Sequence, residues 1–191
     1  MNMLRSLRAC LPLALCWAAA MPTAQAQSAS GAESVIVELA VFSQPSARLL
    51  PSQPAELGWD DAAVALHETA NPEVRSIAPA RYELSDEMQR LTQQGYTLQL
   101  HTAWTQPLGM STPVAVTEGD NAGTARTQAL VSLEQDNSLK AQIAFWLNHV
   151  AADGSLVSER LAQSRNIRLG ETHYFDHPSL GALLRVSHTV N

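Results

Sequence analysis

LKAQIAFWLNHVAADGSLVSERLAQSRNIRL, residues 139–169, is the stretch whose reading decides the fold. Leu139, Ala141, Ile143, Phe145 and Leu147 alternate with Lys140, Gln142, Ala144, Trp146 and Asn148. From Glu159 to Leu169, the apolar set Leu161, Ile167 and Leu169 opposes Arg160, Ser164, Asn166 and Arg168. A period of two is that of a half-buried strand. Between the two runs stands Ala152-Asp153-Gly154. A two-residue Asp-Gly loop would pair odd positions with even ones and lay an apolar face on a polar one. A slip of one residue inverts a whole strand, so that register is excluded. A three-residue loop with Gly154 left-handed pairs 145 with 161 and 139 with 167, and core meets core. The same register sets Trp146 opposite Arg160 on the other, solvent-facing side, with Gln142, Asn148, Ser164, Asn166 and Arg168 around them.

Outward from this hairpin the chain reads as further short elements. Ser34–Phe42 is a β-branched run typical of a buried strand. Residues 44–81 carry Pro45, Pro51, Pro54, Pro72 and Pro79, so no periodic element is sustained there; Trp59 is its one large anchor. A short helix is expected from Ser85, whose hydroxyl would accept from first-turn N–H groups while Asp86 and Glu87 complement the dipole; Gly95 stops it. Tyr96–Trp104 alternates as a strand closed by Pro107 and Gly109. Strands at 114–116 and about 126–134 flank a Gly-rich linker, 119–123. Residues 170–178 read as a loop and Leu180–Ser187 as a final strand. The expected fold class is α+β, a mainly antiparallel sheet with one short helix, in a single domain.

The beginning of the chain reads differently. Residues 1–26 hold Arg5 and Arg8, no acid, an apolar run and Ala24-Gln25-Ala26, the pattern of a secretory signal cleaved after Ala26. A bulky Leu15 before Cys16 speaks against lipidation there. Residues 27–191 form one domain's length, and no other stretch approaches a membrane span. Cys10 and Cys16 both fall in the leader, so a disulfide scaffold, a thiolate metal site and a cysteine nucleophile are excluded for the exported chain. Loss of the two arginines takes the formal charge from −6 to −8, which disfavours general nucleic-acid binding. No G-x-S-x-G, S-x-x-K, H-E-x-x-H or phosphate-loop pattern occurs. No cofactor is expected.

Three groups of residues carry a resemblance. They are His101-Thr102-Ala103-Trp104-Thr105-Gln106-Pro107; Ala144-Phe145-Trp146-Leu147-Asn148; and Ser164-Arg165 followed by Gly170-Glu171-Thr172-His173-Tyr174-Phe175-Asp176-His177-Pro178 with Gly181. With Glu38-Leu39-Ala40-Val41-Phe42 as an opening strand, they resemble the CsiV-type family across nearly the whole exported chain. The resemblance implies a periplasmic peptidoglycan-binding factor of Gram-negative bacteria. It also implies support of a class A penicillin-binding protein through its outer-membrane lipoprotein activator. The connection at 44–81 is shorter than in many members. The resemblance carries no set of binding residues onto these positions.

Peptidoglycan offers sugar rings, whose apolar faces suit aromatic side chains, and peptide stems bearing carboxylates, which suit arginine forks. A chain of charge −8 is not steered toward an anionic polymer, so recognition has to be local. The candidate ligand-binding set is Trp146, Arg160, Arg168, Asn148, Asn166 and Gln142; the alternative is a surface cation–π pair serving the sheet alone. Trp104 is expected in the core. His173, Tyr174, Phe175, Asp176 and His177 are read as a structural turn, Asp176 and His177 capping backbone groups and the aromatics closing the core, with metal ligation as the lesser alternative. His67, His101, His149 and His188 have no partner at a telling spacing. The function expected is non-catalytic peptidoglycan binding. A protein–protein adaptor without glycan binding, using the connection or an open sheet edge, and a cell-wall hydrolase are the alternatives.

Overall fold

The computed structural model describes residues 33–45, 53–54, 62–67, 71–121 and 124–189. The leader and Trp59 lie outside them. In chain order the elements are β1 (Ser34–Ser43), β2 (Gln53–Pro54), β3 (Val64–Ala65), β4 (Arg75–Ser76), a 3-10 turn (Pro79–Arg81), α1 (Ser85–Gln93), β5 (Thr97–Pro107), β6 (Val114–Asn121), β7 (Thr124–Gln135), β8 (Leu139–Val150), β9 (Leu156–Asn166), β10 (Thr172–Asp176) and β11 (Leu180–His188). Strand dominates among the described residues, with one short α-helix.

The strands form two sheets rather than one. The first runs β10-β11-β1-β5-β4 and the second β2-β9-β8-β7-β6-β3; only β3 and β6 pair in parallel among the described strands. Val37, Leu39 and Val41 of β1 and Leu184 of β11 share one apolar core with Val131, Ile143, Phe145 and Leu161 of the second sheet. Trp104 lies in this core as expected, its Nε1–H donating to Gln106 at 2.7 Å. Helix α1 covers the outer face of the first sheet, where Leu84 and Met88 pack on Ala40 and Phe42. The sequence period cannot count sheets, because a strand alternates in the same way whichever partner sheet its apolar face meets.

The decisive hairpin forms as read. Phe145 pairs with Leu161 and Trp146 with Arg160, and Ile167 N–H donates to Leu139 O at 2.8 Å. Ala151 N–H bonds Ser155 O at 2.8 Å, which leaves Ala152-Asp153-Gly154 as the loop, with Gly154 at φ +83°.

Four expectations need correction. Ser85 is not the helix cap: Leu84 occupies that position without a side-chain bond, and the Ser85 hydroxyl turns to Tyr82 O. Glu38, 2% exposed on central strand β1, instead anchors the entry to the helix, its carboxylate accepting from Glu83 N–H at 2.7 Å and Leu84 N–H at 3.0 Å, the two residues ahead of α1. Residues 119–121 are strand rather than linker, since β6 runs through Gly119 and pairs with β7 as far as Asn121 with Thr124; residues 122–123 of that expected linker lie outside the described residues. The 44–81 connection is not without elements: β2, β3 and β4 each add two residues to a sheet edge. Finally, residues 170–178 are not all loop, because β10 pairs with β11 from Thr172–Arg185 to Asp176–Gly181.

The two sheets also meet along a seam. Strand β10 is an edge of the first sheet, and two of its carbonyls accept from side chains of β9 in the second: Gln163 to Asp176 O and Arg165 to Tyr174 O. The Arg165 guanidinium lies 5.5 Å from the centre of the Phe175 ring.

Candidate functional site

The outer face of the second sheet presents the even residues of β7, β8 and β9. Leu130, Ala144 and Ala162 stand in one cross-strand row and Ser132, Gln142 and Ser164 in the next. Two alanines leave a trough, flanked by Arg160 on one side and Gln142 with Ser164 on the other. Its volume is 410 Å³. Arg160 lies 5.3 Å from the centre of the Trp146 ring, makes no ion pair among the described residues, and is exposed. Gln142 donates to Glu134, which also faces Lys140 at 3.7 Å.

The expected aromatic plate is not there. Trp146 is only 3% exposed, so its ring is a buried support for Arg160 rather than a surface for a ligand. Asn148 is buried as well. Ser158 Oγ–H donates to Asn148 Oδ1 at 2.6 Å, and Asn148 Nδ2–H donates to Gln128 Oε1 at 2.8 Å, a chain of bonds that satisfies these polar groups away from water. Polar residues on this face therefore did not mean a wet face. Asn166 and Arg168 line a separate cleft of 520 Å³ with Glu171 and His173, and Arg168 pairs with Glu171 at 3.6 Å. The six expected ligand residues are thus divided: Arg160 and Gln142 line the trough, Asn166 and Arg168 line the separate cleft, and Trp146 and Asn148 are buried.

The 173–177 segment divides by strand alternation. Phe175 points into the core; Tyr174 points outward, 42% exposed, and its hydroxyl donates to Asp176 Oδ1 at 2.9 Å. Asp176 thus serves a tyrosine rather than a backbone group. His177 does hold the turn, its Nδ1 accepting from Ser179 N–H at 3.4 Å. His173 accepts from Arg168 N–H at 3.0 Å. Along extended chain the four steps from 173 to 177 put the two Cα atoms roughly 13 Å apart, and each imidazole bonds its own local partner.

Other polar groups were not anticipated. Ser179 Oγ–H donates to buried Glu159 and lies 3.1 Å from His177 Nδ1, while Glu159 stands 3.9 Å from the same nitrogen. Hydroxyl and carboxylate crowd one side of one imidazole, which joins the two sheets but is not the relay of a serine nucleophile, where the acid and the hydroxyl take opposite ring nitrogens. His101 bonds Glu38 at 2.7 Å, and His188 meets Glu33. His149 Nε2 is buried with no hydrogen-bond partner among the described residues, and desolvation lowers the pKa of this imidazole; Glu159 opposes that and Arg126 adds to it.

A second cleft, of 310 Å³, lies on the opposite outer face, between α1 and the β10 edge of the first sheet. Phe42, Tyr96 and Tyr174 gather there. Phe42 and Tyr174 are parallel, with centroids 6.2 Å apart and 6° between planes, and Tyr96 meets Phe42 edge-on at 5.3 Å. Phe42 can lie across β11 because residue 181 is glycine: a Cβ there would stand 2.5 Å from Phe42 Cε2 and 3.0 Å from Tyr174 Cε2. Sequence reading noted Gly181 and Tyr174 but missed Phe42 and Tyr96 as their companions. Their signal was present in the strand pairing of residues 42 and 181, which no local pattern reports.

Two sheets on one core, with ligand-sized clefts on rigid strand faces, define a sheet-built binding scaffold. The sequence profile described as peptidoglycan-binding protein, CsiV, matches residues 10–189, and the chain belongs to that family. No curated protein and no solved structure gives a match. Among the described residues no helix is long and apolar enough to cross a membrane.

Proposed function

We propose that this chain is a non-catalytic, periplasmic peptidoglycan-binding factor that takes a stem-peptide carboxylate in the trough beside Arg160. Membership of a peptidoglycan-binding family supports the polymer. The single observation behind the site is a guanidinium without an ionic partner among the described residues, held by Trp146 at the wall of a groove lined by amide and hydroxyl groups. Five N–H donors in a rigid fork match a carboxylate, and a charged hydrogen bond of this kind contributes about 1.5–3 kcal/mol. Asn166 and Arg168, in their own cleft, are proposed as a secondary contact for the same polymer. The leader pattern of residues 1–26 supports export. The proposal extends to support of a class A penicillin-binding protein through its lipoprotein activator, as the family resemblance implies.

The test is sedimentation of the purified protein with sacculi. Wild type is expected in the pellet, and Arg160→Ala is expected to weaken retention about tenfold while leaving the circular dichroism unchanged. Arg160→Lys should recover only part, because an ammonium lacks the fork. Wild type remaining in the supernatant would refute the function; equal retention of Arg160→Ala would move the site elsewhere. Trp146 is a poor test residue, since truncating a buried ring reports on folding.

A further inference from the structure

We infer that the cleft between α1 and β10 is a second, separate subsite, which takes the apolar face of a neutral N-acetylated amino-sugar ring of the glycan strand. The choice of polymer rests on the peptidoglycan reading; the choice of moiety comes from the cleft itself. Its volume of 310 Å³ is at the small end of ligand sites, and its lining is mainly aromatic and aliphatic with a few polar groups at the rim, the usual make-up of such sites. Tyr174 is exposed, yet its orientation is set from two sides: the hydroxyl is held by Asp176 and the ring lies parallel to Phe42. A flat, immobilised ring meets the C–H face of a pyranose with little loss of side-chain entropy. Leu91 closes the helix side.

Charge separates this cleft from the trough on the other sheet. Its two charged residues, Glu87 and Arg90, pair with each other at 3.0 Å, so the rim carries no net charge. A carboxylate gains nothing here, while Gln94 and the remaining N–H groups of Arg90 stand where hydroxyl and acetamido groups need partners. An uncharged ring with one apolar face and a polar periphery is the ligand that fits.

The experiment is an amide-resolved NMR titration of the full-length protein with N,N′,N″-triacetylchitotriose and, separately, with a free stem pentapeptide. The saccharide is expected to shift Leu91, Tyr96, Tyr174 and their neighbours, and the pentapeptide to leave them in place. Tyr174→Ala should weaken saccharide binding roughly three- to tenfold, with Tyr174→Phe, which keeps the ring but loses the Asp176 anchor, falling between it and wild type. Sacculus sedimentation of the same variants separates this inference from the broader reading. If wild type and Tyr174→Ala pellet equally, the subsite is wrong while peptidoglycan binding stands. If wild type fails to pellet but the saccharide still shifts the cleft, the subsite stands and the broader reading falls. No shift in the cleft at millimolar saccharide, or a shift there with the pentapeptide alone, overturns the inference.

Discussion

At the scale of the residue, Gly181 shows how one missing side chain organises a surface. The ring of Phe42 occupies the volume that a Cβ at 181 would need, and Tyr174 lies against the same spot. Overfilling a packed site costs about 1–3 kcal/mol. Gly181→Ala is therefore expected to lower the unfolding free energy by that amount, measured by urea titration, and to disturb the stacked pair. Phe42→Leu in the same chain should recover part of the loss, so a double-mutant cycle over these two positions reads a coupling that independent sites would not show. Glu38 makes a complementary point about legibility. An acid inside Val35–Phe42 was visible as an oddity in an apolar run, but its task, holding two N–H groups at the start of a helix some 45 residues later, depends on strand placement that sequence spacing does not report.

Among the elements, the β8–β9 hairpin was the most legible, because two independent signals agreed: the period of the strands and a glycine at a loop position with positive φ. A Cβ at Gly154 would touch nothing within 4 Å, so a substitution there is strained only by backbone conformation. Gly154→Val is expected to cost about 1–2 kcal/mol, and Gly154→Asn much less, measured by thermal unfolding. Strand β10 was missed because five residues between Gly170 and Pro178 are too few to establish a period. The outer face of β8 was read as wet for the opposite reason: its polar pattern was clear, but the network from Gln128 through Asn148 to Ser158 removes the cost that makes polar residues avoid burial. Alternation tells that a strand has two different faces, and which of them water reaches is a tertiary fact.

For the whole molecule, two groups set opposite ends of the pH range. Burial lowers the pKa of His149, so the fold favours its neutral form. The stability this gives is present above the unfolded value near 6.5 and is lost as pH falls through the folded value. Tyr174 is pushed up to about 12, first by desolvation and then by its bond to Asp176. Its contribution is present below about pH 10, the unfolded value, and is lost as pH rises toward 12. Melting temperature is therefore expected to fall on both sides of neutrality. His149→Gln should flatten the acid limb and Tyr174→Phe the alkaline one; a profile unchanged in either variant would remove that residue from the account.

The seam between the sheets has a consequence for how copies of this chain coexist at high concentration. Residues 27–191 contain no cysteine, so no covalent bond can fix the sandwich. An outermost strand with idle carbonyls is a template on which a second molecule can grow. By turning Gln163 and Arg165 of the other sheet onto β10, the fold occupies that template with its own side chains and guards the margin against runaway self-association.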